Sequence, residues 1–159
     1  MTNSTWLADS GQTDRLGRCL AETRPPRAVV HLQGDLGAGK STLARALLRS
    51  LGVVGAIRSP TYTLVERYPL AAGGEAWHMD LYRIGDPGEL EFLGLDGDEA
   101  ALWLVEWPER GAGGLPVADL RIELAMEETG RRAVLKGLTE IGQAWLERLT
   151  REGAFAADS

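Results

Sequence analysis

The chain has 159 residues, 44% apolar and 25% charged, and a net charge of −6. That length and balance suit one ordinary domain with its own core, and the negative charge argues against tight, direct nucleic-acid binding, which draws its affinity from neutralised phosphates. The longest apolar run, 100–105, is strand-sized rather than membrane-spanning, the first residues lack the charged and apolar regions of a signal peptide, and the single cysteine, Cys19, has no internal disulfide partner, so a cytoplasmic location is expected.

In chain order, the spacing of Leu16, Cys19 and Leu20 predicts a first helix over 9–22, capped by Asp9 or Ser10 and stopped by Pro25-Pro26. Cys19 reads there as a small buried hydrophobe. Arg27 to Gln33 is a short, β-branched apolar run, the first predicted strand. After the stretch 34–42, Leu43, Ala44, Ala46, Leu47, Leu48 and Leu51 recur at helical spacing until Gly52. Residues 58–68 read as a turn and then a β-prone run, Gly73-Gly74 as a hairpin-like loop, and 76–82 as another strand. The acidic segment 86–99 reads as one or two short helices over the sheet. Residues 101–105 form a strand buried on both faces. Residues 118–126 and 131–135 read as a closing antiparallel pair, and Leu138, Ile141, Trp145 and Leu149 as the face of a final helix. A single α/β domain over 1–152 is expected, with a mixed, mostly parallel sheet flanked by helices and a frayed tail over 153–159.

The stretch between the first strand and its helix carries the chemistry. Gly34-Asp35-Leu36-Gly37-Ala38-Gly39-Lys40-Ser41-Thr42 fits G-x-x-x-x-G-K-S/T, a phosphate-binding loop. At this composition roughly 0.003 accidental matches to that pattern are expected. The chain has 2 lysines among 17 basic residues, so a lysine at position 40 is not compositional habit. Glycines let successive N–H groups of residues 35–42 ring a polyphosphate, and the following helix adds its positive end. Lys40 would reach the terminal phosphates and the Ser41 hydroxyl would sit on Mg²⁺.

A phosphate loop alone does not hydrolyse its nucleotide; the metal needs an acidic anchor and the water a positioning group. Glu106, directly after the apolar strand, is the candidate anchor, because ligands of open α/β sheets lie outside the carboxyl ends of the strands. Its alternative is a solvated strand end. Asp80, inside an apolar run, is a candidate for water positioning or indirect metal contact, against a salt bridge to Arg83. Thr61, after Ser59-Pro60, is either a γ-phosphate sensor or a plain turn residue. Trp107 either belongs to the core or lines the nucleotide cleft. His31 and His78 read as core histidines rather than metal ligands.

Taken together, the phosphate loop, Ser59-Pro60-Thr61-Tyr62-Thr63-Leu64, His78-Met79-Asp80-Leu81-Tyr82-Arg83 and Glu106-Trp107-Pro108 form a series. From about Thr13 to about Leu124 it closely resembles the bacterial TsaE family, the ATPases of tRNA threonylcarbamoyladenosine synthesis. Ser41 stands where threonine is commoner, which keeps the hydroxyl. Met79 replaces a more usual aromatic or aliphatic residue, and nothing beyond Leu135 carries a family motif. The resemblance implies ATP and Mg²⁺ as cofactors and slow hydrolysis by the protein alone. It implies TsaB and TsaD as the partners that hold tRNA and transfer the threonylcarbamoyl group. It also implies Ser41 and Glu106 as metal ligands, Lys40, Thr61, Asp80 and Trp107 as active-site residues, and Thr13 on the adenine side.

Two other enzyme readings fit less well. A small-metabolite kinase needs an arginine-bearing lid, for which the segment 108–116 offers only Arg110. A signalling GTPase needs a guanine-reading N/T-K-x-D motif, which is missing. A nucleotide-gated adaptor without turnover is the third alternative, disfavoured by the intact Lys40, Ser41, Asp80 and Glu106.

Overall fold

A computed structural model describes residues 2–93 and 100–155. Seven strands form one sheet: β1 (Thr2–Leu7), β2 (Ala28–Gln33), β3 (Val65–Pro69), β4 (Glu75–Asp80), β5 (Ala100–Glu106), β6 (Leu120–Glu127) and β7 (Gly130–Gly137), in the order β1-β7-β6-β2-β5-β4-β3. Three helices complete it: α1 (Ser10–Thr23), α2 (Lys40–Ser50) and α3 (Glu140–Arg151). The sheet is mixed, as expected. The four central strands β6, β2, β5 and β4 run parallel, while β1, β7 and β3 are antiparallel additions.

Alternation along the strands sorts the core into two layers. One face carries Val30, Leu32, Leu102, Leu104, Leu120 and Ile122, covered by aliphatic residues of the three helices such as Leu20, Leu47 and Leu149. The other face carries Trp77, Met79, Trp103 and Val105, with Ile84 and Leu90 from irregular chain laid over them. The Trp77 and Trp103 rings meet with centroids 5.0 Å apart, inclined at 53°, a favoured geometry for aromatic pairs.

Most predicted elements lie where the sequence places them. Asp9 caps α1, its side chain accepting from the Gln12 amide at 3.0 Å. Cys19 is buried and free. The departures are instructive. β1 was not foreseen; Thr2 to Leu7 has one apolar pair at its end, and its place comes from the β7 ladder instead. The β-prone run becomes strand only at Val65, because the Leu64 amide turns back to the Pro60 carbonyl at 2.7 Å. Leu138 and Ile141, expected on the buried face of the last helix, are 41% and 47% exposed. Trp145, Leu146 and Leu149 fill that face, and Trp145 Nε1 donates to Thr23 Oγ1 at 2.9 Å. The acidic segment gives one 3-10 turn, Pro87–Leu93, and the remainder, 94–99, lies outside the described residues. The chain expected to fray from Gly153 is docked through Phe155. Ala154 is buried, Phe155 packs on the core and Arg15 donates to the Gly153 carbonyl at 2.9 Å. Residues 156–159 lie outside the description. Among the described residues no helix is long and apolar enough to cross a membrane.

Candidate functional site

Strand direction determines what gathers where. β2, β5 and β4 are parallel and in register, so Gln33, Glu106 and Asp80 close the same edge of the sheet, with Asp80 directly opposite Glu106. The period of two then sets the side-chain directions. Ala76, Leu102 and Leu104 belong to the helix-covered layer, so His78, Asp80 and Glu106, at even offsets from them, point to that same side, where α2 begins.

Between β2 and α2 the loop turns through Gly34, Gly37 and Gly39 at φ of 147°, 81° and 103°, a region that side-chain-bearing residues avoid. At Gly34 a Cβ would also stand 2.3 Å from the Leu124 carbonyl oxygen. Gly39 occupies the N-cap of α2, with no side-chain cap, which leaves the first amides of the helix for a ligand. A cavity of about 300 Å³ opens over this loop, lined by residues 35–42 together with Thr61, Asp80, Glu106, Trp107 and Arg131.

The residues proposed from the sequence therefore converge. Ser41 Oγ donates to the Glu106 carboxylate, 3.1 and 3.2 Å from its two oxygens. Glu106 is 2% exposed, so it is no solvated strand end. Its Oε2 lies 2.6 Å from His78 Nε2, and because a carboxylate only accepts, that nitrogen carries the hydrogen. His78 Nδ1 is buried without a partner. Asp80 accepts from Thr61 Oγ1 at 3.2 Å and from the Tyr82 amide at 3.0 Å, while Arg83, the alternative partner, lies over the Tyr62 ring instead, 4.8 Å from its centroid. Thr61 also meets Ser59 Oγ at 2.8 Å. Lys40 Nζ donates to the carbonyls of Gly34 and Asp35 and lies 4.0 Å from the Trp107 ring centroid. Burial pushes its pKa below the ordinary lysine value, and the charges of Glu106 and Asp80 oppose that shift. Trp107 takes a left-handed backbone, φ 57° and ψ 51°, which turns its ring out of the strand alternation and into the cleft.

Thr13 stands apart from these groups. It lines a second cavity of about 240 Å³, with Leu7, Asp9 and Ser10, that shares Gly39, Thr42 and Arg131 with the first. The two therefore make one continuous groove. Two residues of the site were missed in the sequence. His78 was read as core, and it is buried; the sign of its second role was its spacing, two residues before Asp80 on the same strand face. Arg131 carried no signal, because only the closed sheet brings it to the loop.

For a metal, the donors at hand are the Ser41 hydroxyl and the Glu106 carboxylate, with the Asp80 carboxylate beside them. All are oxygens, as Mg²⁺ requires, and two protein ligands are the usual number where phosphates and waters complete the shell. Among the described residues there is no cluster of three His, Cys, Asp or Glu side chains that would enclose a metal by itself.

The family model described as "Threonylcarbamoyl adenosine biosynthesis protein TsaE" matches residues 7–134. The chain is 44% identical over 117 residues to the tRNA threonylcarbamoyladenosine biosynthesis protein TsaE of Haemophilus influenzae, covering 72% of this chain and 73% of that one. It is 38% identical over 135 residues to the TsaE of Streptomyces coelicolor, covering 82% and 91%. Among solved structures, Bacillus subtilis YdiB superposes with a TM-score of 0.78 over 96% of both chains at 24% identity, which speaks to the fold. With the family match spanning most of the chain, this protein belongs to the TsaE family.

Proposed function

We propose that this protein binds ATP with Mg²⁺ and hydrolyses it as a cytoplasmic component of tRNA threonylcarbamoyladenosine formation, working with TsaB and TsaD. The observation that carries this reading is the meeting of a phosphate loop with two carboxylates at adjacent strand ends, one of them bonded to the loop's own serine. The relatives' names supply the pathway.

In this mechanism the loop amides and the start of α2 bind the phosphates, and Lys40 exchanges its two carbonyl partners for the terminal phosphates. Ser41 and Glu106 would hold Mg²⁺, which supplies charge neutralisation on the transferring phosphoryl group. His78 holds the Glu106 carboxylate from behind and fixes its orientation, as partners of metal ligands do. Asp80, held by the Tyr82 amide and the Thr61 hydroxyl, keeps lone pairs free to accept from the attacking water and align it. Trp107 covers the Lys40 ammonium and keeps bulk water from it. Among the described residues the arginine that lines the cleft, Arg131, bonds to loop and strand carbonyls. Slow turnover by the protein alone therefore follows, since a charge donated in trans is the usual accelerator. The acidic chain would leave tRNA to its partners.

The deciding experiment measures ATP hydrolysis by the purified protein with and without the TsaB–TsaD pair. Weak Mg²⁺-dependent turnover that rises on adding the pair is expected. Fast turnover alone, or none under either condition, would overturn the reading.

A further inference from the structure

Arg131 follows the two-residue turn from β6 to β7, and strand direction again explains where it stands. β6 runs parallel to β2, so its far end reaches the carboxyl edge of the sheet, and β7 starts from there. Arg131 pairs with Met126 on one side and Leu7 on the other, so its backbone belongs to the ladder rather than to a loop. From that base the guanidinium donates to two carbonyls at 3.1 Å each, Gly130 through Nη1 and Gly37 through Nη2. Gly37 is the crown of the phosphate loop, 94 residues away in sequence. No carboxylate pairs with Arg131 among the described residues. A guanidinium has five N–H donors in a planar fork, so three remain beyond these two bonds on a side chain that lines the groove.

That groove has two parts, and Arg131 lines both. The residues common to the two are Gly39, Thr42 and Arg131, so the seam between them is short. Lys40 and Arg131 are the two cations that line them, and Lys40 serves the loop end. A nucleoside polyphosphate whose terminal phosphates occupy the loop, and whose base and sugar extend past Thr13, must carry its remaining phosphate across the seam.

We infer that Arg131 binds the phosphate nearest the nucleoside, gripping it while anchored on the Gly37 carbonyl. This rests on the ATP reading above and adds to it the residue that distinguishes a nucleotide from bare pyrophosphate. An arginine suits the place, because its fork bonds a phosphate and a carbonyl at once where an ammonium would act as a point charge.

The test is calorimetric titration of the whole protein, wild-type, Arg131→Ala and Arg131→Lys, with Mg²⁺ and ATP, ADP or pyrophosphate. Arg131→Ala is expected to weaken ATP and ADP about tenfold or more, the scale of one charged hydrogen bond. Pyrophosphate affinity should stay within about twofold of wild-type, and Arg131→Lys should recover part of the loss. A brace acting only on the loop would weaken all three ligands alike, and that result overturns the assignment, as does unchanged ATP affinity in Arg131→Ala. Failure of the wild-type protein to bind ATP is a different outcome, which overturns the nucleotide reading itself.

Discussion

The two halves of the sheet do different work. The parallel half, β2, β5 and β4, ends in the glycine-rich loop, Glu106 and Asp80, and its strand tips are polar although its bodies are buried. The half built by antiparallel pairing, β6, β7 and β1, contributes a tight hairpin, the docking surface for α3, and to the groove Leu7, Thr129 and the charge of Arg131. Chemistry is concentrated where strands end together on one edge; rigidity is concentrated where consecutive strands pair along their whole length. If that division holds, variants in one half should damage stability and leave the site's affinity alone, and variants in the other should do the reverse.

The largest effect is expected at Gly142, in the first turn of α3. A Cβ there would stand 1.7 Å from the Asp119 carbonyl oxygen; the helix start is pinned there by the Leu138 amide, which donates to that carbonyl, and by the Thr139 hydroxyl, which donates to the Asp119 carboxylate. Gly142→Ala should cost about 3 kcal/mol or more, the scale of severe overpacking, read as a lower urea midpoint. The fraction still folded should bind ATP as the wild-type does; a parallel loss of affinity would break the division.

Next come Lys40→Ala and Glu106→Gln, which probe the other half. Lys40→Ala should weaken ATP more than a hundredfold, about 2.7 kcal/mol, while leaving the thermal midpoint unchanged or slightly raised, because the ammonium is held in the fold against its own desolvation. Glu106→Gln should keep nucleotide binding and lose Mg²⁺-dependent turnover. Unchanged turnover would move the metal anchor elsewhere.

The smallest effect sits between the halves. His31 on β2 faces Arg121 on β6, with its Nε2 buried and unpartnered. Burial and the Arg121 charge lower its pKa, against a hydrogen bond with the Pro116 backbone that raises it. A histidine so depressed keeps its neutral form to lower pH in the fold than in the unfolded chain, which takes up a proton near pH 6.5. Stability from this source is therefore complete above that pH and lost as the pH falls below it, by at most about 1.4 kcal/mol per pH unit. His31→Asn should flatten the slope of unfolding free energy against pH below about 6.5; an unchanged slope would show that other groups set it.

The same division explains what could be read from the chain beforehand. The phosphate loop is contiguous, and its glycines, lysine and serine must be adjacent to work, so it is visible as a pattern. Glu106 is visible because it closes a strongly apolar run, at a strand end where such folds place ligands, and Asp80 because a carboxylate inside an apolar run needs a partner. Thr61 is visible only as a turn residue; that its hydroxyl reaches Asp80 depends on the Pro60–Leu64 turn. β1 is polar along most of its length and gains its place from the strand beside it, so its own residues give little sign of it. Arg131 is the extreme case. Its partner is 94 residues away, and no local rule relates a hairpin arginine to a loop glycine. Leu138 and Ile141 failed for the opposite reason, since apolar residues at helical spacing need not all find a surface to cover.

On β4, His78 and Asp80 occupy even steps of a strand whose odd steps, Trp77 and Met79, fill the aromatic layer. Inserting or deleting a single residue there would exchange the two sets, sending an imidazole and a carboxylate into oil and two large hydrophobes toward the cleft. The strand's length can drift only in pairs of residues, so this edge of the sheet has a parity that evolution must respect.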